Sequence, residues 1–271
     1  MSAPVALTIA GSDPSGGAGL QADLKTFHQF GVYGEAVVTL ITVQNTTGVE
    51  AVECLDAGLV QRQIRAVLSD IPPAAAKTGA LGNAAVVGAV AQMASGFGFP
   101  LVVDPVLISK HGAPLLSEDA RQALIQRLLP HAFLVTPNLA EAAALSGVAV
   151  RSVEDMKQAA QRILDLGPRA VLVKGGHLAD TATDVLLFEG QFLELGGERI
   201  ETPHTHGTGC TYSAAITALL ARGLDLRQAV RRAKRFITEA IRTNPGLGRG
   251  AGPVNHHAPA DAGPDEPERG R

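Results

Sequence analysis

Short apolar runs rich in β-branched residues recur along this chain, and segments with apolar positions three or four apart lie between them. VALTIAG (5–11) is a compact apolar run closed by glycine, the pattern of a strand buried on both faces. Leu20, Leu24, Phe27 and Gly31 then recur at helical spacing. EAVVTLITV (35–43) predicts a second strand. Residues 58–69 predict a helix whose apolar positions are Leu59, Ile64, Val67 and Leu68. AAAKTGA (74–80), LVVDPV (101–106), FLVTPN (133–138) and AVLVKGG (170–176) each begin as an apolar strand and run out into polar, Gly or Pro residues. Helices are expected near 83–95, 117–129, 138–146, 152–166, 209–222 and 226–243, and TDVLLFEGQFLEL (183–195) reads as a hairpin around Glu189-Gly190. Strands alternating with helices indicate an α/β fold with a mostly parallel sheet. In such sheets ligands bind at the carboxyl ends of the strands, where the polar residues of this chain cluster.

Composition narrows the class. The chain has 271 residues, 46% of them hydrophobic, enough for one large domain or two small ones around a sizeable core. A net charge of -3 supplies no basic patch, which argues against nucleic acid. The two cysteines, Cys54 and Cys210, stand far apart in a chain with no secretory signal pattern, so a reduced, cytoplasmic protein is expected rather than a disulfide. Thr78 to Val103 carries no charge, but Asn83, Gln92, Ser95, several glycines and Pro100 interrupt it. It reads as a buried helix, a turn and a buried strand, with no membrane span. APADAGPDEPERGR (258–271) combines five Pro or Gly with four acids and is expected to be a disordered tail after a single domain over 1–257.

Several motifs carry chemistry, each with a plainer alternative. GSDPSGGAG (11–19) resembles a Walker A loop, but Gly17 stands where its lysine belongs. Gly17 to Ala22 fits the GxGxxA dinucleotide fingerprint, yet the second strand ends in Gln44-Asn45 rather than in an acid, leaving a tight strand-to-helix turn as the simpler reading. Gln44 offers an amide that can pair with a ring nitrogen and a neighbouring amine, or merely satisfy turn backbone. Asp104 and Glu141 follow two different strands and could hold Mg²⁺, although Asn138 and Glu141 also have capping-box spacing. Lys174, at the end of an apolar strand before two glycines, could reach a phosphate or simply be solvated. HTHGTGCTYSAA (204–215) is the most specific stretch. Backbone N–H groups from Gly207, Thr208, Gly209 and Cys210 at a helix start could cradle a phosphate. Cys210 could take a proton there, its thiol lowered towards neutrality by the helix start, or be a buried inert cysteine.

Taken together, LTIAGSDPSGGAGLQADLKTF, QNTTGV, KTGAL, TPNLAEAAAL, VLVKGGH, HTHGTGCT and GRGAGPVNHH resemble, in order, the hydroxymethylpyrimidine/phosphomethylpyrimidine kinases of the ribokinase-like superfamily. The resemblance runs from about Ala6 to His256. It implies a central, mostly parallel sheet flanked by helices with a small lid. It also implies a homodimer and ATP- and Mg²⁺-dependent phosphorylation, first of a hydroxymethyl aminopyrimidine and then of its monophosphate, for thiamine biosynthesis.

Residue by residue, the resemblance assigns Gln44 to the aminopyrimidine edge, with Gly11 and Asp23 lining the same pocket. It assigns Cys210 the role of catalytic base, Gly207 to Gly209 the anion hole, Lys174 a contact to ATP phosphate, and Asp104 and Glu141 the magnesium region. The chain departs from the family pattern at Ala80, where the methionine of KIGML is expected, and at His204, where asparagine is common. The first implies a looser or larger pocket. The alternatives are a pyridoxal/pyridoxine kinase and a non-catalytic pyrimidine-binding protein on the same fold.

Overall fold

The computed structural model describes residues 3–107, 116–176 and 182–260. Its first half runs β1 (Val5–Ser12), α1 (Gly19–Gln29), β2 (Tyr33–Asn45), β3 (Gly48–Cys54), α2 (Ala57–Asp70), β4 (Ala75–Thr78), α3 (Ala84–Ala94) and β5 (Leu101–Val103). Then come α4 (Glu118–Ala123), β6 (Leu134–Val135), α5 (Leu139–Ser146), α6 (Val153–Leu164) and β7 (Ala170–Val173). The hairpin β8 (Asp184–Phe188) and β9 (Gln191–Leu195) follows, and α7 (Thr208–Ala221) and α8 (Leu226–Arg242) close the fold.

The strands form one sheet in the order β3-β2-β1-β4-β5-β6-β7-β8-β9. The six from β2 to β7 are parallel, whereas β3, β8 and β9 run antiparallel to their neighbours at the two edges. Alternate residues of each strand serve opposite faces. Leu7, Ile9, Ala76, Val103, Val171 and Val173 pack with α2 to α6. Ala6, Ala75, Val102, Leu134, Ala170 and Leu172 pack with α1, α7 and α8. The strands read as continuous apolar runs because both faces are covered. Helix α7 is buried from Thr211 to Ala221, and its Ala, Ser and Thr residues let it lie close against the sheet.

Three features depart from the sequence reading. The second strand does not end a βα unit but turns back at Thr46-Thr47 into β3, which pairs with Leu40 to Asn45, a stretch that runs past the end of β1 at Ser12. The helix expected over 117–129 stops at Ala123 and continues as a π-helical turn and a 3₁₀ turn to His131. Pro130 has no N–H to continue the ladder. The tail does not begin at 258. Ala258 is wholly buried, its N–H bonds the Asn255 carbonyl, and its own carbonyl accepts from Gln29 Nε2 at 2.8 Å. Residues 261–271, like His177 of the VLVKGGH motif, lie outside the described residues. The uncharged stretch over 78–103 is the end of β4, then α3 and β5, and no described helix is long and apolar enough to cross a membrane.

Candidate active site

The polar ends of β1, β2, β4, β5 and β7 converge on the start of α7. No side chain caps that helix; its cap is Gly207, at φ 77°. The close approach requires glycine, because a Cβ at Gly207 would collide with the carbonyl of Gly17 in the first βα loop. A Cβ at Gly19 would likewise collide with the Gly11 carbonyl, so α1 starts directly against the end of β1. Of the four N–H groups expected to form the anion hole, that of Thr208 bonds the Thr205 carbonyl at 3.3 Å. The expected cradle therefore reduces to Gly207, Gly209 and Cys210. Gly209 keeps it open: a Cβ there would lie 3.2 Å from Lys174 Nζ and 3.7 Å from Asp104 Oδ2.

Lys174, Asp104 and Glu141 come together at this point. Lys174 Nζ sits 2.9 Å from Asp104 Oδ1, with the two side chains 13% and 2% exposed, so the solvated-lysine reading fails. Ser213 and Thr136 also donate to Asp104. Glu141 fills its capping-box role and also lies beside the Lys174–Asp104 pair. Its carboxylate accepts from the Asn138 N–H in a complete capping box, and it is 6% exposed beside Lys174 and Asp104. Burial pushes its pKa up to about 7; Lys174 lowers it and Asp104 raises it further.

Cys210 corrects the expectation of a thiol near neutrality. Burial drives its pKa up to about 12, and although Lys77 and the Gly19 N–H favour the thiolate, Asp23 and Asp104 oppose it. The field at one helix start is outweighed by desolvation and two carboxylates. Asp23 is not an open pocket residue. It is fully buried, and its Oδ2 accepts from Lys77 at 2.8 Å and from Thr8 at 2.6 Å. Lys77 is equally buried and was missed as a site residue. Its place inside KTGAL was the available signal, but its partner lies 54 positions away.

Gln44, at the end of β2, meets His206 Nε2 at 3.2 Å, and the same nitrogen lies 2.8 Å from Asp13 Oδ2. Asp13 organises the first loop by accepting from Ser15 and from the Ala18 N–H. This makes the loop a tied strand-to-helix turn rather than an open fingerprint. Ala80 stands beside Gly11, 3.7 Å from where a Cβ on that glycine would lie, and His204 packs against Gly252. The segment from Leu247 to Ala251 clasps the β2–β3 turn, where Ala251 donates to the Thr46 carbonyl at 2.8 Å. A wide cleft of about 1100 Å³ lies at the opposite edge of the sheet, lined by Phe97, Phe133, Arg169 and Arg231, far from all of these groups.

A half-exposed, glycine-lined helix start facing the Lys174–Asp104 pair, at the carboxyl edge of a doubly covered, mostly parallel sheet, marks the fold of a ribokinase-like small-molecule kinase. The model of a family described as phosphomethylpyrimidine kinase matches residues 13–255. A hydroxymethylpyrimidine/phosphomethylpyrimidine kinase of Rhizobium meliloti is 50% identical, with 93% of this chain and 96% of that protein covered. Among solved structures, a phosphomethylpyrimidine kinase from Clostridium difficile superposes with TM-score 0.78 at 45% identity, covering 88% of this chain and 99% of that one. An ADP complex of Bacillus subtilis pyridoxal kinase superposes with TM-score 0.87 at 39% identity, covering 95% and 98%. The chain belongs to the phosphomethylpyrimidine kinase family.

Proposed function

We propose that this chain transfers the γ-phosphoryl group of ATP to the hydroxymethyl oxygen of 4-amino-5-hydroxymethyl-2-methylpyrimidine, and then phosphorylates the monophosphate to the diphosphate for thiamine biosynthesis. The observation that carries the reading is the Lys174–Asp104 pair facing the cradle that Gly209 leaves open ahead of Cys210. A non-catalytic binding protein has no need of a buried cation aimed into an anion cradle.

In each step the acceptor oxygen bonds the γ-phosphorus and the bond to the ADP oxygen breaks; in the first step the hydroxymethyl proton leaves, whereas the phosphate oxygen that accepts in the second is already ionised near neutral pH. Such transfers are loose, so positioning and charge neutralisation supply most of the acceleration. The cradle N–H groups and Lys174 meet the charge on the transferred group. In this reading Cys210 receives the proton late. In the ligand-free protein it is a protonated thiol, so its thiolate is a minor form favoured by Lys77. Mg²⁺ fits as an ion shared with the nucleotide. Asp104 and Glu141 are neighbouring buried acids, and the charge of Asp104 helps push the Glu141 carboxyl up, a strain that a cation relieves. These two residues would hold the ion, which would neutralise phosphate charge.

We read the protein as a cytoplasmic homodimer. Ile41 and Val43, alternate residues near the end of β2, are half exposed, an apolar surface suited to a second copy.

The deciding experiment follows ADP release and product mass with the aminopyrimidine, its monophosphate and pyridoxal in turn. Turnover of both pyrimidines above that of pyridoxal is expected. Preference for pyridoxal would make this a pyridoxal kinase, and no turnover with any ring would leave a binding protein.

A further inference from the structure

Two contacts meet at one nitrogen of His206. Nε2 lies 2.8 Å from Asp13 Oδ2 and 3.2 Å from the amide position assigned as Gln44 Nε2. Both His206 and Asp13 are 3% exposed, so solvent does not resolve the chemistry there. A carboxylate only accepts. At the shorter distance it therefore requires Nε2 to carry the proton. An N–H at that position cannot also accept from an amide NH₂. Shape does not distinguish the two ends of an amide; hydrogen-bond chemistry does. The atom 3.2 Å from Nε2 must therefore be the Gln44 oxygen and not its nitrogen, sharing the one Nε2 proton with Asp13, which turns the NH₂ outward.

We propose that His206, held by Asp13, is a positioning residue that fixes which end of the Gln44 amide meets the substrate ring. The inference rests on the reading of Gln44 as the ring-binding residue. The assigned orientation matches an aminopyrimidine. The outward NH₂ donates to a ring nitrogen, and the second lone pair of the amide oxygen accepts from the amine beside it. With Nε2 unprotonated, or with His206 absent, the amide is free to turn and offer its oxygen to the ring nitrogen, acceptor against acceptor. Asp13 thereby links the first strand-to-helix loop, which it ties through Ser15 and Ala18, to substrate choice on β2.

The test is a double-substitution cycle read as KM and kcat. His206→Leu is expected to raise KM for the aminopyrimidine at least about fivefold, the lower end of the loss from a misdirected polar group. The KM for ATP should stay unchanged, and the preference over pyridoxal, which has no amine beside its ring nitrogen, should shrink. His206→Gln, whose amide nitrogen reaches the place of Nε2, should restore most of the loss. Should the leucine variant fail to fold, His206→Asn, polar but too short to reach Gln44, takes its place in the cycle. On a Gln44→Leu background the His206 substitution should add nothing. Multiplying effects, or no rescue by glutamine, would overturn the proposal while leaving Gln44 as the ring reader. An unchanged KM in Gln44→Leu alone would overturn both.

Discussion

Lys77 Nζ lies 2.8 Å from Asp23 Oδ2, and neither side chain is exposed to solvent at all. The pair joins β4 to α1 beneath the start of α7, with Thr8 of β1 completing it. Burial raises the Asp23 carboxyl although Lys77 holds it down. Burial also disfavours the Lys77 ammonium, but Asp23 and the other nearby anionic groups keep its pKa above the ordinary lysine value. Lys77→Met strands Asp23 and should cost about 3–5 kcal/mol in urea unfolding at pH 7. Combining it with Asp23→Leu should recover most of that loss. A single substitution costing less than about 1 kcal/mol would show that the charges do not depend on each other.

The raised thiol of Cys210 has a direct readout. In the ligand-free enzyme, alkylation of Cys210 should be slow at pH 7 and climb about tenfold per pH unit through pH 10, with no plateau near the usual thiol value of about 8.5. Exposed Cys54 serves as the internal standard. A plateau for Cys210 below pH 9 would mean that the helix start wins over burial after all. Cys210→Ala should retain the fold and lose roughly 10²–10⁴-fold in single-turnover transfer if the residue takes the proton.

Glu141 links the site to stability. Its folded pKa of about 7 lies above the unfolded value of 4.5, so between those limits the folded state binds more protons. Its contribution is therefore present below pH 4.5 and is lost as pH rises to 7. Glu141→Gln keeps an acceptor for the Asn138 N–H but removes the charge. In EDTA the variant should match wild type near pH 4.5, gain on it up to pH 7 and hold a constant advantage above that. Parallel curves across the range would refute the assignment, and lower turnover is expected alongside the gain.

The C-terminal boundary is testable by truncation. A chain ending at His257 loses the buried Ala258 and its bond from Gln29, so its melting temperature should fall by several degrees. A chain ending at Ala260 keeps both, and should melt with wild type because the acidic, Pro/Gly-rich remainder is expected to bury little. Equal melting of the two truncations would mean that Ala258 contributes nothing measurable.

Wherever apolar periodicity is continuous, the strands and helices were legible, since burial on both faces writes itself into local sequence. β3 was not. GVEAVEC places its acids three apart, at Glu50 and Glu53, which breaks the two-residue strand period on an edge ribbon, and its pairing depends on a turn at Thr46-Thr47 rather than on its own pattern. The candidate site residues were visible as motifs, but their states were not. Cys210 reads locally as a cysteine in a positive helix field, whereas its thiol is governed by Asp23 and Asp104, brought in from α1 and the end of β5. His206 stood in view inside HTHGTGC. Its link to Asp13 spans 193 positions and no local signal announces it.

Gly209 separates binding from stability with opposite signs. It occupies the first turn of α7, where alanine is the better helix former by roughly 0.5–1 kcal/mol. The added methyl would enter the cradle 3.2 Å from Lys174 Nζ, the far end of a flexible side chain that can move aside. Gly209→Ala should therefore melt no lower than wild type, while the space for the transferred phosphoryl group is filled. KM for ATP is expected to rise and kcat to fall together, by at least about tenfold in kcat/KM, as a displaced anion contact costs more than 1 kcal/mol. A variant that is more stable and equally active would remove the cradle from the phosphate path. The anion site would then have to be sought elsewhere along the carboxyl edge of the sheet.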